Sequence, residues 1–168
     1  AMRWALEYPH ARRHCVVIAS AMKLSAQNIA FNEIARNAIC SDPNFHQGRY
    51  LEHDTLPRQG LALARMIGHV TYLSDDGMKE KFGRDLKAGD LKLGSQGPVE
   101  FQVESYLRHQ GSRFAESFDA NTYLLMTKAL DYYDLAREYD DDPVAAFSHA
   151  KCRFMVRSCT SDRRCAPD

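Results

Sequence analysis

The 168-residue sequence has no net charge and no long apolar run. Its 22 Lys and Arg residues balance 22 Asp and Glu residues, and the two signs are mixed along the chain. Such a surface has no overall field to attract nucleic acid or an anionic membrane. The longest apolar stretch, around residues 15–19, is far shorter than the roughly 20 residues of a transmembrane helix. We therefore predict a cytoplasmic protein that binds neither nucleic acid nor membranes.

Paired cysteines are also lacking, because the five cysteines include no C-x-x-C motif. An odd count without such spacing argues against a disulfide framework and a zinc site, so we predict free thiols. Histidines and acids do gather at His46 and at Glu52-His53-Asp54. Neighbouring residues of an extended segment point to opposite sides, which favours a solvated loop over a shared metal ion. We predict no metal site and no bound cofactor.

Helical periodicity dominates the rest of the sequence. Residues 101–134 predict two amphipathic helices that separate at Phe118-Asp119, with Asp119 as the N-cap of the second. Ser25 is the predicted cap of an earlier helix. Short β-branched runs predict two strands, the first of a type that is buried on both faces. The remaining predicted elements are helices at about 1–8, 57–73, 77–82 and 144–148, strands at 14–20 and 152–156, and loops at 44–54 and 87–98.

Several long segments of the sequence closely resemble the homoserine O-acyltransferases. They are LSAQNIAFNEIAR at 24–36, YLEHDTL at 50–56, GLALARMIGHVTYLSDD at 60–76, FQVESYLRHQGSRF at 101–114 and DANTYLLMTKALD at 119–131. Members of this family are α/β-hydrolase-fold enzymes of methionine biosynthesis, which transfer an acetyl or succinyl group from coenzyme A to homoserine. The resemblance runs from about residue 4 to residue 160.

The resemblance implies a mainly α fold class, with a helical lid inserted into an α/β-hydrolase fold. The lid would be residues 23–139, and residues 1–22 and 140–168 would be pieces of the core with two short strands of the parallel sheet. It also implies L-homoserine and acyl-CoA as substrates and a homodimer formed through the lid helices. The apolar faces that two isolated strands would expose independently favour self-association.

Asp162 is the candidate catalytic residue. It ends Thr160-Ser161-Asp162, which follows the second predicted strand and resembles the family's T-S-D motif. The resemblance implies that Asp162 is the triad acid, which would orient a catalytic histidine. The residues alone favour an aspartate that caps a turn. Arg157 and the basic residues near it depart from the family's apolar pattern, which weakens the catalytic assignment.

The motifs that carry the other two members of a catalytic triad are not found in the 168 residues. The 168 residues contain no G-x-S-x-G motif, and none of the seven histidines follows the family's G-H-D-type context. The resemblance implies that the nucleophile turn lies ahead of Ala1 and the histidine beyond Asp168. We therefore expect a piece of an acyltransferase that is inactive alone. The alternative is a non-catalytic helical interaction module from a truncated or decayed gene.

Arg65 is the candidate substrate-binding residue. On the predicted helix it shares a face with Leu61, Gly68, His69 and Tyr72. Burying a guanidinium without a carboxylate is costly, so the residues alone favour an internal salt bridge. A substrate carboxylate held bidentately is the alternative. The resemblance implies this alternative, because Arg65 matches the arginine assigned to homoserine binding.

A set of aromatic and Met residues at helical spacing in 106–133 has two interpretations. It could line a tunnel for the acyl group, or it could form contacts between helices, which is the commoner role of such residues. We predict helix packing and assign no site there. The set comprises Tyr106, Tyr123, Met126, Tyr132 and Tyr133.

Overall fold

The structure, a computed structural model, describes residues 1–87 and 101–162. The chain divides into two compact units, each treated separately below. The strand unit comprises Ala1–Ile29 and Lys128–Asp168, and the helical unit comprises Ala30–Thr127. The elements in chain order are α1 Met2–Glu7, β1 His14–Ile18, α2 Ala26–Cys40, α3 Arg58–Tyr72, α4 Asp75–Phe82, α5 Gln102–Ser117, α6 Ala120–Tyr132, α7 Pro143–Phe147 and β2 Arg153–Arg157, with short 3₁₀ helices at Pro43–Gly48, Tyr50–His53 and Arg137–Tyr139.

The predicted helices are confirmed, including two of their caps. Helices α5 and α6 separate at Phe118-Asp119, and the backbone N–H of Thr122 donates to Asp119 Oδ2 at 2.7 Å. At the start of α2, the backbone N–H of Asn28 donates to Ser25 Oγ at 3.3 Å. Both side chains satisfy N–H groups that the first turn of a helix leaves unpaired.

The strand unit contains a parallel pair of strands, as the fold class predicts. Strands β1 and β2 pair in a register that runs from His14 opposite Arg153 to Ile18 opposite Arg157. On one face of the pair, Cys15 and Val17 of β1 pack with Ala5 of α1 in a small core. On the other face, Val16 is 53% exposed and its partner Met155 is 57% exposed. The expectation that the first strand is buried on both faces is therefore wrong for this chain.

The helical unit is held together by two close approaches between helix backbones. A Cβ built on Gly60 of α3 would lie 2.6 Å from the Ala38 carbonyl oxygen of α2. A Cβ built on Gly111 of α5 would lie 2.9 Å from the Ala62 carbonyl oxygen of α3. Distances this short leave no space for a side chain, so the two glycines bring α3 against both neighbours. These contacts fix the helix that carries Arg65.

The segment predicted as a polar loop at 44–54 is instead a pair of 3₁₀ helices. The side chain of Asp42 accepts hydrogen bonds from the backbone N–H groups of Asn44 at 2.9 Å and Gly60 at 2.8 Å. Tyr50 in the second 3₁₀ helix is only 1% exposed and belongs to the core of the helical unit. A buried cap and a buried aromatic ring give this polar segment a fixed conformation.

Two predictions concern features that the structure does not test. The Gly-rich loop predicted at 87–98 lies outside the described residues from residue 88 onward. The lid boundaries at residues 23 and 139 stay predictions. Among the helices of the described residues, none has the length and apolar character needed to cross a membrane.

Candidate functional site

Arg65 lies half-buried on α3 with its guanidinium against two aromatic rings. Its Cζ is 4.9 Å from the ring centroid of Phe114 on α5 and 5.9 Å from that of Tyr72 on α3. A guanidinium over an aromatic face gains cation–π attraction while its N–H groups point outward from its edge. Phe114 and Tyr72 thus hold the guanidinium and leave its donors for a planar acceptor.

The internal salt bridge that the residues alone favour for Arg65 is not found. In the part of the chain that the structure describes, no carboxylate forms an ion pair with Arg65. Bidentate pairing with a substrate carboxylate, the alternative from the sequence, stays a prediction.

His69 lies one helical turn after Arg65 and connects α3 to α5. Its Nδ1 is 2.8 Å from the hydroxyl oxygen of Tyr106, and its ring meets those of Tyr72 and Tyr106 edge-on at centroid distances of 5.8 Å and 5.4 Å. The other ring nitrogen, Nε2, is buried and has no hydrogen-bond partner in the described chain. Burial, with the nearby charges of Arg65 and Lys81, lowers the pKa of His69. The imidazole is therefore neutral at physiological pH.

Tyr106 has a role that periodicity alone did not reveal. Its ring packs on Phe82 of α4 at a centroid distance of 4.8 Å, and Lys81 Nζ lies 4.6 Å from its centroid. The packing role is as predicted, but the hydroxyl also bonds to His69. The sequence held one indication of this bond. Arg65 and His69 share a predicted helix face, and a partly buried polar residue on such a face needs a polar partner from another helix.

Within the described residues, the groups around Arg65 form a cationic site in which no carboxylate makes an ion pair with the guanidinium. We call the set Arg65, His69, Tyr72, Tyr106 and Phe114 the Arg65 cluster. It offers the donors of one guanidinium, two phenol rings and a neutral imidazole. These groups suit the binding and orientation of a carboxylate, rather than the making of an acyl bond.

Asp162 lies in a turn that follows β2 in the strand unit. Its backbone N–H donates to the Cys159 carbonyl oxygen at 3.1 Å, and the residue is half-buried. The turn agrees with the role that the residues alone favour. It also puts the carboxylate five residues after the carboxyl end of a parallel strand, the edge at which ligands bind in open α/β sheets.

The two histidines near residue 50 stack on each other. The rings of His46 and His53 stack at a centroid distance of 4.0 Å, in a 3₁₀ segment rather than the extended segment that we expected. His46 has a left-handed backbone with φ of 47°. Within residues 1–87 and 101–162, no group of three or more His, Cys, Asp or Glu side chains is arranged to hold a metal ion.

Comparison with known proteins identifies the family. No protein-family model matches the chain. It is 64% identical over 168 residues to a homoserine O-succinyltransferase of Teredinibacter turnerae, covering all of this chain and 44% of that protein. It is 68% identical over 166 residues to one of Cellvibrio japonicus, covering 99% of this chain and 44% of that protein. The chain belongs to the homoserine O-acyltransferase family. It spans less than half of the length of these curated relatives.

A solved homoserine O-acyltransferase has the same fold in the matching region. The crystal structure of homoserine O-acetyltransferase from Bacillus anthracis matches with a TM-score of 0.84, over 97% of this chain and 43% of that one. The sequence identity is 19%, so this likeness bears on the fold alone. It agrees with the predicted fold class, a mainly helical part of an α/β-hydrolase fold with two strands of the parallel sheet.

Proposed function

We propose that this chain is the lid-bearing part of a homoserine O-succinyltransferase. The observation that carries the proposal is an identity of 60–68% with proteins of that name, over nearly all of the chain. The same names favour succinyl-CoA over acetyl-CoA as the acyl donor. The complete reaction would pass the succinyl group to an enzyme serine and then to the hydroxyl of L-homoserine. The cytoplasmic location stays a prediction.

In this proposal Arg65 binds the carboxylate of L-homoserine. Three observations support it: the guanidinium lies against Phe114 and Tyr72, it has no ion pair in the described residues, and it is half-buried. A partly buried guanidinium loses part of its hydration. Two parallel hydrogen bonds to a bound carboxylate would offset the free-energy cost of that loss. Arg65 therefore orients the substrate and takes no part in bond making.

Asp162 is proposed as the acid of the catalytic triad. Its carboxylate would hold the catalytic imidazole in one tautomer and stabilise its charged form. The T-S-D motif and the position after β2 support this role. The 168 residues contain no G-x-S-x-G motif, so we propose that this polypeptide alone does not catalyse acyl transfer to homoserine.

The family resemblance and the exposed apolar residues of α6 support a homodimer formed through the lid helices. Leu125 is 71% exposed and Met126 is 53% exposed. Neighbouring large apolar side chains at such exposure are typical of surfaces that bind another protein. A second copy of the chain is the proposed partner, and a non-catalytic interaction module remains the alternative function.

The substrate role of Arg65 is tested by calorimetric titration with L-homoserine. Arg65→Gln removes the charge and one arm of the bidentate pair, so we expect affinity to fall by about 10-fold to 100-fold. Arg58→Gln is the matched control, because Arg58 is an exposed arginine at the start of the same helix. An equal loss in both variants, or no binding by the wild-type chain, would contradict the proposal.

The absence of turnover is tested by mass spectrometry after incubation with succinyl-CoA and L-homoserine. We expect unmodified polypeptide and no O-succinylhomoserine. A succinylated serine accompanied by product would mean that the nucleophile and its base lie within these residues. Asp162→Asn in the same assay would then show whether the activity uses the proposed acid.

A further inference from the structure

The orientation of the Arg65 guanidinium depends on two helices at once. Tyr72 is on the same helix as Arg65, whereas Phe114 is on α5. Any rotation or sliding of α3 against α5 would therefore change the position of the guanidinium relative to the Phe114 ring. A site built across two helices needs a device that fixes their alignment.

Two contacts between α3 and α5 are suited to that task. The first is the close approach of Gly111 to the Ala62 carbonyl oxygen. The second is the hydrogen bond between His69 Nδ1 and the Tyr106 hydroxyl at 2.8 Å. Ala62 and His69 are separated by roughly 10 Å along the helix axis at 1.5 Å per residue. One contact lets packed helices pivot, but two contacts on either side of Arg65 define the angle between them.

If His69 served only to fill space between the helices, its imidazole would lower the stability of the fold. His69 Nε2 is buried without a hydrogen-bond partner in the described residues, and an unpaired buried nitrogen lowers stability. A leucine of similar size would fill the space without this cost. What leucine lacks is the directional bond that Nδ1 makes to Tyr106.

We propose that His69 is a positioning residue, which aligns α3 with α5 through its bond to Tyr106 and so holds the Arg65 guanidinium ready for a carboxylate. This inference rests on the proposed function of Arg65. His69 itself does not touch the substrate. The charged and titratable groups around its ring are Arg65 and Tyr72 on α3, Lys81 on α4 and Tyr106 on α5.

The test follows the Arg65 Nε–Hε signal by NMR in the unliganded chain, and then L-homoserine affinity by calorimetry. Tyr106→Phe removes only the hydroxyl and keeps the ring that packs on Phe82. We expect the Arg65 signal to move or broaden, and affinity to fall about fivefold, because one hydrogen bond is lost. Tyr132→Phe is the matched control, since Tyr132 is 68% exposed. It should leave both readouts unchanged.

A pair of substitutions at His69 separates positioning from stability. His69→Asn keeps a polar atom near the place of Nδ1, so the Arg65 signal and the affinity should be retained. His69→Leu fills the space without the bond, so both should change even where the melting temperature rises. A merely structural role predicts that the Arg65 signal follows stability rather than the hydrogen bond.

Each outcome decides one of the two proposals. An Arg65 signal that is unchanged in both Tyr106→Phe and His69→Leu would overturn the positioning role. If the wild-type chain binds no homoserine, the proposed substrate is wrong, and the Arg65 signal in the unliganded variants still decides whether His69 positions it.

Discussion

Gly111 of α5 lies so close to Ala62 of α3 that a Cβ at Gly111 would be 2.9 Å from the Ala62 carbonyl oxygen. Gly111→Ala must therefore push the two helices apart. Alanine favours helices by about 1 kcal/mol over glycine, but a backbone clash in a packed interface costs about 1–3 kcal/mol. We expect net destabilisation in urea denaturation.

Ser112→Ala is the control for this substitution, because Ser112 is the next residue of α5 and is exposed. It should change the unfolding free energy by less than about 0.5 kcal/mol. Stabilisation by Gly111→Ala would contradict the close approach of α3 and α5.

Tyr50 and Asp119 form a hydrogen bond that should make stability depend on pH. The Tyr50 hydroxyl donates to Asp119 Oδ1, and this bond lowers the pKa of Asp119, opposed by burial and aided by Thr122. Burial and the same bond raise the pKa of Tyr50. The contribution of this hydrogen bond to the stability of the fold is therefore fully present between the ordinary pKa values of about 3.9 for Asp and about 10 for Tyr. It is lost as pH falls through the lowered Asp119 value, or rises through the raised Tyr50 value.

Tyr50→Phe should destabilise the chain at pH 7 by about 1.5–3 kcal/mol, the range for a hydrogen bond to a charged group. It should also return the Asp119 pKa toward its ordinary value, which carboxyl NMR titration measures. Tyr132→Phe, at an exposed position, should do neither. An unchanged Asp119 titration in Tyr50→Phe would contradict the assigned cause of the shift.

Asp42 links the end of α2 to the start of α3. Its carboxylate accepts hydrogen bonds from the backbone N–H groups of Asn44 and Gly60, and the residue is 7% exposed. Asp42→Ala leaves the buried N–H of Gly60 unpaired, so we expect a loss of about 2–3 kcal/mol in urea denaturation. Glu52→Ala, at an exposed acidic residue of the following 3₁₀ segment, should be nearly neutral. Equal effects of the two substitutions would show that Asp42 is not a cap.

Sequence patterns predicted the local elements well because their causes are local. The break at Phe118-Asp119 and the Ser25 cap depend on a side chain and the next few backbone groups. The polar loop predicted at 44–54 was wrong because the burial of Tyr50 comes from the core of the helical unit. A polar composition does not reveal such tertiary contacts.

The Arg65 cluster was predicted only in part, for the same reason. Helical spacing put His69 and Tyr72 on the face of Arg65, and both contribute to the cluster. The ring of Phe114 and the hydroxyl of Tyr106 come from α5, and no spacing rule pairs two distant helices. The prediction of an internal salt bridge was wrong for the described residues. The Arg65 guanidinium instead lies against the rings of Phe114 and Tyr72.

Self-association is a further testable property of the chain. If the exposed apolar residues of α6 form a dimer contact, Leu125→Asp should convert a dimer to a monomer in sedimentation velocity experiments. Leu51→Asp is the control, because Leu51 is 73% exposed and lies in a 3₁₀ helix instead of α6. Dissociation by Leu51→Asp but not by Leu125→Asp would exclude the contact through α6.

We propose that Arg65 recognises the carboxylate of homoserine, and this role can be tested on the guanidinium itself. The most direct measurement is an NMR titration of the Arg65 Nε–Hε signal with L-homoserine and, separately, with homoserine lactone, which lacks a free carboxylate. We expect a saturable shift of the Arg65 signal with homoserine and no shift with the lactone. Equal shifts with both ligands, or no shift with either, would contradict it.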